Sequence, residues 1–119
     1  MATAVKRKLS GSTDGRGIKV AATSSAGTTI HTAVAGTTAG TYDEVWLWAY
    51  NSDTVDRALT IEYGGTTAPD DNIVVTVPFK SGLMLIVPGL VLQNGDVVKA
   101  FAAATNVVVI FGYVNAMTD

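Results

Sequence analysis

The chain lacks cysteine altogether and has a single histidine among its 119 residues. Without cysteine it can form no disulfide, no thiolate nucleophile and no cysteine-based zinc site. The one histidine, His31, has neither the Ser–His–Asp order of a catalytic triad nor metal-ligand spacing around it. We therefore expect His31 to be a strand residue that faces solvent or an interface. We predict no enzyme, no catalytic residue, no metal site and no cofactor.

Charge is also scarce, since Asp, Glu, Lys and Arg make up 15 % of the chain, where about 25 % is usual. Hydrophobic residues make up 48 %, and a chain of this length forms one domain with a substantial core. Much of the surface is therefore expected to be contact surface. No apolar run approaches the ~20 residues of a membrane helix, and the first ten residues lack the apolar region of a signal peptide. We therefore expect no membrane contact. We expect the protein to be made in a cytoplasm.

The few charges are unevenly distributed. Residues 1–20 hold five basic residues and one acid, a net charge of +4, whereas the remainder carries −6. Residues 1–17 are also rich in Gly and Ser, which is typical of a flexible arm, and residues 18–119 are predicted to be one domain. The basic segment could contact nucleic acid phosphates or an acidic neighbouring subunit, but nothing favours a specific nucleic acid. The basic partner-binding candidates are Lys6, Arg7, Lys8, Arg16 and Lys19.

Long helical periodicity is absent, and short β-prone runs alternate with Gly, Pro, Asn and Asp. Asn94-Gly95 is a strong tight-hairpin signal, and Pro88-Gly89 is expected to kink or split a strand. Regular short strands predict an all-β fold, an antiparallel β-sandwich that is jelly-roll-like and has an extended N-terminal arm. The strands are predicted near residues 18–23, 28–35, 43–51, 57–63, 72–78, 83–87, 89–92, 97–103 and 107–114.

The strand at residues 43–51 is the most informative, because neither of its faces suits water. Alternate side chains of a strand point to opposite faces. One row is aromatic and the other aliphatic, namely Trp46, Trp48 and Tyr50 against Val45, Leu47 and Ala49. The runs at 83–87 and 106–114 are apolar on both faces too. The domain's own second sheet is expected to cover one face, and a partner surface the other, so the aromatic row joins the partner-binding candidates.

Two ligand-binding alternatives remain open at this stage. A row of aromatic rings is what carbohydrate-binding sandwiches use to stack sugars, but core or interface packing is the favoured interpretation, because aromatic side chains bury large areas there. The acidic turn residues have the oxygen ligands that calcium prefers, but their spacing matches no EF-hand loop. We interpret these acids, Asp53, Asp56, Asp70 and Asp71, as turn-forming residues.

Three stretches carry a family resemblance. They are Thr-Thr-Ile-His-Thr-Ala at 28–33 together with residues 43–51, Leu-Thr-Ile-Glu-Tyr-Gly-Gly-Thr-Thr-Ala-Pro-Asp-Asp at 59–71, and Val-Pro-Gly-Leu-Val-Leu-Gln-Asn-Gly-Asp-Val-Val-Lys-Ala-Phe-Ala at 87–102. The chain resembles, over residues 28–114, the small virion proteins of tailed bacteriophages that decorate or cement a capsid.

The resemblance implies a structural β-sandwich protein that stabilises the phage head. It implies a homo-oligomer, often a trimer, that sits on the capsid surface and binds the major capsid protein. A terminal arm is common in such proteins, and residues 1–17 are the candidate here. No catalytic residue carries over. A neck, tail or fibre component is the alternative within the virion.

Overall fold

The computed structural model describes residues 2–119, and this range contains β-strands and no helix. No helix that could cross a membrane was found in that range. The nine strands are β1 (Thr3–Lys8), β2 (Ile18–Lys19), β3 (Thr28–Thr32), β4 (Tyr42–Asn51), β5 (Arg57–Tyr63), β6 (Asn72–Val77), β7 (Met84–Leu92), β8 (Val97–Ala102) and β9 (Val108–Thr118).

The strands form two sheets, and their pairing is antiparallel throughout. Sheet A has the order β1-β9-β4-β7, with β2 also paired to β9, and sheet B has the order β3-β8-β5-β6. The predicted antiparallel β-sandwich is confirmed. The pairs are nested along the chain: β5 with β6, β4 with β7, β3 with β8 and β2 with β9. Successive pairs alternate between the two sheets.

The core lies between the sheets and is built from one face of each. In β4 every second residue is buried, because β4 lies inside sheet A between β7 and β9. Its aliphatic row, Val45, Leu47 and Ala49, is fully buried and belongs to the same apolar cluster as Leu59 and Ile61 of β5. Burying a side chain such as Leu47 contributes about 1.5–3 kcal/mol. The prediction that the domain's own second sheet covers one face of β4 is confirmed.

The turn at Asn94-Gly95 is tight but does not form a hairpin, so that part of the prediction is wrong. Both residues have positive φ, 65° and 67°, and Asp96 N donates to Gln93 O at 3.2 Å, as a two-residue turn of the primed type requires. The flanking strands nevertheless lie in different sheets. The N–H groups of Asn94 and Gly95 donate to the β3–β4 loop, which directs the chain from sheet A to sheet B.

The Pro88-Gly89 dipeptide kinks a strand and does not split it. Residues 84–92 form the single strand β7, whose register with β4 shifts at two places. Pro88 has no N–H, and β7 is an edge strand, where proline is tolerated. Gly89 has φ 75°, a conformation that other L-residues rarely adopt.

Most of the segment predicted as an arm packs on its own domain. Residues 3–8 form β1, which pairs along the second half of β9 although all six of its side chains are exposed. The following residue, Leu9, is only 1 % exposed and belongs to the core. Gly11 N then donates to Ile30 O of β3 at 3.0 Å. The chain thus crosses from sheet A to sheet B here, and backbone hydrogen bonds hold a segment that we expected only a partner to order. An arm that reaches a partner stays a prediction.

Candidate functional site

The outward surface of sheet A carries a concentration of aromatic side chains. We call this surface the aromatic face and define it by Trp46, Trp48, Tyr50, Phe111 and Tyr113. The register places Trp46 of β4 directly opposite Tyr113 of β9, and Trp48 opposite Phe111. All five are half-buried, because they alternate with core residues and so point away from sheet B. The aromatic row of β4 thus lies on the face that sheet B does not cover.

Three of these rings stack on one another. The ring centroids of Trp46 and Trp48 are 6.2 Å apart with an interplanar angle of 19°. Tyr113 lies 6.5 Å from Trp46 and 5.9 Å from Trp48, at 21° and 30°. Offset stacking at these distances is favourable by about 0.5–1.5 kcal/mol per pair. The rings therefore form one preformed block with little side-chain freedom left to lose on binding.

The block is covered at two of its sides by protein atoms. The Lys6 ammonium lies 4.4 Å from the ring centroid of Tyr113, a cation–π contact. The β7 backbone packs on Trp46, since a Cβ at Gly89 would lie 2.7 Å from the indole Cζ2. A sugar-stacking platform needs free ring faces. Here an ammonium group lies over the Tyr113 ring and backbone packs on the Trp46 ring, so the geometry favours a packing surface.

A carboxylate fixes the orientation of one indole. Glu44 Oε1 accepts hydrogen bonds from Trp46 Nε1 at 2.7 Å and from Asn115 Nδ2 at 3.0 Å. These two donors, Asn115 foremost, hold the pKa of Glu44 below its usual value. The acceptor is therefore ionised at neutral pH, and the Trp46 ring is held in one position.

The aromatic face is bordered by chemically different edges. On the β1 and β2 side the register places Lys6, Lys8 and Lys19 beside β9 residues of this face. On the β7 side it places Leu85 and Val91, which are 46 % and 57 % exposed. The surface is therefore cationic along one border and apolar along the other. A matching partner would be apolar and would carry acidic groups on one side.

The structure separates the basic residues predicted to bind a partner. Lys6, Lys8 and Lys19 border the aromatic face, although Lys8 Nζ also donates to Ser12 O at 3.1 Å. Arg7 points to the opposite side of β1 and lines a different cleft. Arg16 lies in the β1–β2 loop and lines a shallow cavity beside the Phe111 ring.

Sequence reasoning missed four contributors to the site. They are Phe111 and Tyr113, which complete the ring block, and Glu44 and Asn115, which orient Trp46. The alternation of Val109, Phe111 and Tyr113 along β9 was a usable signal for one face. The pairing of β4 with β9 could not be predicted from the sequence, because more than fifty residues separate the two strands.

His31 is buried, which corrects the prediction that it faces solvent or an interface. It is 4 % exposed, and its partner Asp43 is 6 % exposed. His31 Nδ1 accepts a hydrogen bond from the Ser10 N–H at 3.0 Å, so the proton is assigned to Nε2, which lies 2.7 Å from Asp43 Oδ2. The pair lines a cleft of about 650 Å³ together with Arg7. Both ring nitrogens are engaged, and the pair ties β3 of sheet B to β4 of sheet A.

Three of the four acidic turn residues, Asp53, Asp56 and Asp71, accept hydrogen bonds from backbone N–H groups. Asp53 accepts from Thr54 N and from Arg57 Nε, both at 2.7 Å, and these contacts, Thr54 first, lower the pKa of Asp53. Asp71 accepts from Thr67 N at 3.0 Å, and Asp56 from Phe79 N at 3.2 Å. Within residues 2–119 no group of three or more His, Cys, Asp or Glu residues is placed to hold a metal ion.

A partly buried tyrosine links the sheets at the other side of the core. Tyr63 of β5 donates its hydroxyl proton to Leu90 O of β7 at 2.8 Å. Burial raises the pKa of Tyr63, and the negative charge of Asp43 adds to the effect.

In comparisons with family models, curated proteins and solved structures, nothing matches this chain.

Proposed function

We propose that this chain is a structural, non-enzymatic virion protein that decorates a phage head and stabilises it. In this proposal it is made in the host cytoplasm and sits on the capsid surface, where it binds the major capsid protein and further copies of itself. The family resemblance of residues 28–114 motivates the proposal. The nested strand pairing supports the jelly-roll description of the sandwich.

The single observation that carries the proposal is the aromatic face. It is a preformed apolar block on the sheet surface that sheet B leaves uncovered. The ten residues of β4 at about 3.3 Å each, and four strands at about 4.8 Å, give a surface of roughly 600 Å². A standard interface buries about 800 Å² per partner. The face therefore has nearly the size of one half-interface.

The composition of the face also suits binding. Tryptophan and tyrosine dominate the energetics of protein interfaces, and rings that are already stacked lose little conformational entropy when a partner covers them. The lysine border would steer and orient an acidic partner surface. At about 25 cal/mol per Å² of apolar area, each copy contributes a moderate term, and many symmetric copies add up to a reinforced shell.

The site chemistry supports a binding role over a catalytic one. His31 has both nitrogens engaged in hydrogen bonds. The acids of the turns act as caps for backbone N–H groups. Lys6 and the β7 backbone cover parts of the Tyr113 and Trp46 rings, which weakens the alternative of a carbohydrate-binding module.

A co-sedimentation experiment tests the proposal. Empty capsids assembled from the major capsid protein encoded in the same genome are mixed with the purified chain. We expect saturable binding and a higher temperature of capsid rupture. Trp48→Ser removes the central ring, and we expect binding to weaken about tenfold or more, as for an interface tryptophan. Val55→Ser, at an exposed loop position, is the matched control and leaves binding unchanged.

Three outcomes would overturn the proposal or relocate the protein. If the chain does not bind capsids at about 100 µM, the decoration role is contradicted. Labelled particles that show the protein at the neck, tail or fibre favour that position. Saturable quenching of tryptophan fluorescence by oligosaccharides at millimolar concentration favours the carbohydrate-binding alternative.

A further inference from the structure

The four sheet edges of the sandwich are not equally protected against pairing with another chain. A bare edge presents unpaired N–H and C=O groups, and proteins usually block such edges with charge, proline or bulges. Edge strand β1 carries Lys6, Arg7 and Lys8. Edge strand β7 contains Pro88 and two register shifts. Edge strand β3 has five residues and a register shift between Thr29 and His31.

Strand β6 has none of these devices. Its sequence, Asn-Ile-Val-Val-Thr-Val, contains no charge and no proline. It pairs with β5 over six consecutive residues without a register shift. Two of the most exposed large apolar side chains lie at this edge: Val74 is 65 % exposed, and Phe79, just after the strand, is 51 % exposed. Within residues 2–119 no strand pairs with its outer side.

The hydrogen-bond pattern identifies which backbone groups are free. Tyr63 N of β5 donates to Asp71 O at 2.7 Å, so the pairs in register with it at every second position also exchange hydrogen bonds. Ile73 and Val75 therefore point their backbone groups toward β5. Asn72, Val74 and Thr76 point theirs outward, to the open edge, although the Asn72 N–H already donates to Pro69 O at 3.1 Å.

We propose that a second copy of this chain pairs with this edge, β6 against β6, in antiparallel orientation about a two-fold axis at Val74. Outward-pointing residues can pair only with one another, and the register centred on Val74 brings all three of them into the ladder. Val74 then lies opposite Val74 of the second copy, and Asn72 lies opposite Thr76. The Val74 pair gives two hydrogen bonds, and each Asn72–Thr76 pair gives one, from the Thr76 N–H to Asn72 O, so that about four new hydrogen bonds form. Sheet B becomes one continuous sheet of eight strands, and the core-facing row of Ile73 and Val75 continues across the axis.

The charged residues that flank β6 favour a second copy of this chain over an unrelated protein as the partner. Antiparallel pairing brings the residues before β6 of one copy toward those after β6 of the other. Asp70 and Asp71 precede the strand, and Lys80 follows it, so each end joins acidic and basic residues and the two ends are equivalent. Pro78 has no N–H and ends the ladder at both ends. The contact is isologous and is therefore distinct from a three-fold association, which needs a heterologous contact.

The absence of cysteine makes the register directly testable. In a Val74→Cys variant the two thiols would lie on opposed residues about 5.5 Å apart between Cα atoms, inside the disulfide range of about 4.4–6.8 Å. We expect mild oxidation to give a covalent dimer. Thr76→Cys is the register control, because four residues of stagger separate its two copies by about 13 Å. Val55→Cys, in the exposed loop between β4 and β5, is the position control. Neither control should cross-link efficiently.

Two measurements on chains without cysteine complete the test. In sedimentation velocity, Val74→Lys places two like charges opposite each other and should raise the dimer dissociation constant about a hundredfold or more, whereas Val55→Lys should leave it unchanged. In hydrogen exchange, the amides of Val74 and Thr76 should be protected only where the dimer forms, while those of Ile73 and Val75 are protected in both states. A wild-type monomer at about 100 µM, or cross-linking at Thr76 and not at Val74, overturns the inference. The test does not depend on any capsid, so it stands or falls separately from the proposed function.

Discussion

The buried pair His31–Asp43 should be strongly coupled, and a double-mutant cycle can measure the coupling. The two side chains are 4 % and 6 % exposed and 2.7 Å apart. In His31→Leu the Asp43 carboxylate stays in place without its donor, which we expect to cost about 3 kcal/mol. In Asp43→Leu a neutral imidazole N–H loses its acceptor, at a cost of about 2 kcal/mol.

The double variant should cost much less than the sum of the single variants. Once both groups are apolar, no carboxylate is left buried without a donor, and removing a pair together is often close to neutral. The Ser10 N–H loses its acceptor in His31→Leu and in the double variant alike, so that loss cancels in the cycle. We expect a coupling energy of about 1.5–3 kcal/mol, out of a total stability of about 5–15 kcal/mol.

Urea unfolding followed by tryptophan fluorescence is a suitable assay, because both tryptophans lie on β4. The protein concentration must be the same for all four proteins, since self-association would shift apparent stability. Nitrogen-15 NMR of the single histidine provides an independent check and should show Nδ1 without a proton. A coupling energy below about 0.5 kcal/mol, or a protonated Nδ1, would refute the assigned hydrogen bonds.

Three further changes have defined outcomes. Asn115→Leu removes the main donor to Glu44 and should raise the pKa of that carboxyl toward 4.5. A lowered pKa in the folded state stabilises the fold above the pKa of the unfolded state, and this stabilisation is lost as pH falls through the pKa of the folded state. The fluorescence change on acidification should therefore move to higher pH in Asn115→Leu. Tyr63→Phe should cost about 1 kcal/mol at pH 7. Because the raised pKa of Tyr63 makes the wild type lose stability as pH rises above about 10, the gap between the two proteins should narrow in alkaline urea titrations. Gly89→Ala should cost about 1–2 kcal/mol of backbone strain and should also change the near-ultraviolet circular dichroism of the Trp46 indole. Gly36→Ala is the control, because φ is 89° there and the space around the position is open. It should show the strain alone.

Each of these expectations has an outcome that contradicts it. An unchanged acid titration in Asn115→Leu would mean that Glu44 gains nothing from that donor. A gap between wild type and Tyr63→Phe that stays constant through alkaline pH would mean that burial does not disfavour the phenolate. Equal spectra for the two alanine variants would mean that the β7 backbone does not hold the indole.

Local patterns in the sequence predicted the strands well where the chain alternates apolar and polar residues between turns. The strand at 43–51 is β4 with nearly the same bounds, because its alternation and flanking turn residues are both strong. β1 was missed, since all its side chains are exposed and only backbone hydrogen bonds hold it. Such a strand leaves no hydrophobic pattern to detect.

The errors share a physical cause, which is that pairing over long sequence distances leaves no local trace. Asn94-Gly95 has the right turn chemistry, yet the hydrogen bonds that decide where the chain goes come from the β3–β4 loop. His31 looks like a surface strand residue until Asp43 and Ser10, on other segments, enclose it. The aromatic row of β4 was recognised, but the rings of β9 that complete the block were not assigned to it.

The nested order of the strand pairs also bears on how the fold forms. Eight residues separate β5 from β6, whereas 88 separate β2 from β9. Closing the longer loop costs about 2 kcal/mol more in chain entropy, so the inner hairpin should form first and the outer pairs later. The aromatic face needs β4 beside β9, strands separated by 56 residues, and thus exists only once the fold is nearly complete. A partner that binds this face would therefore bind fully folded copies and would not bind partly folded ones.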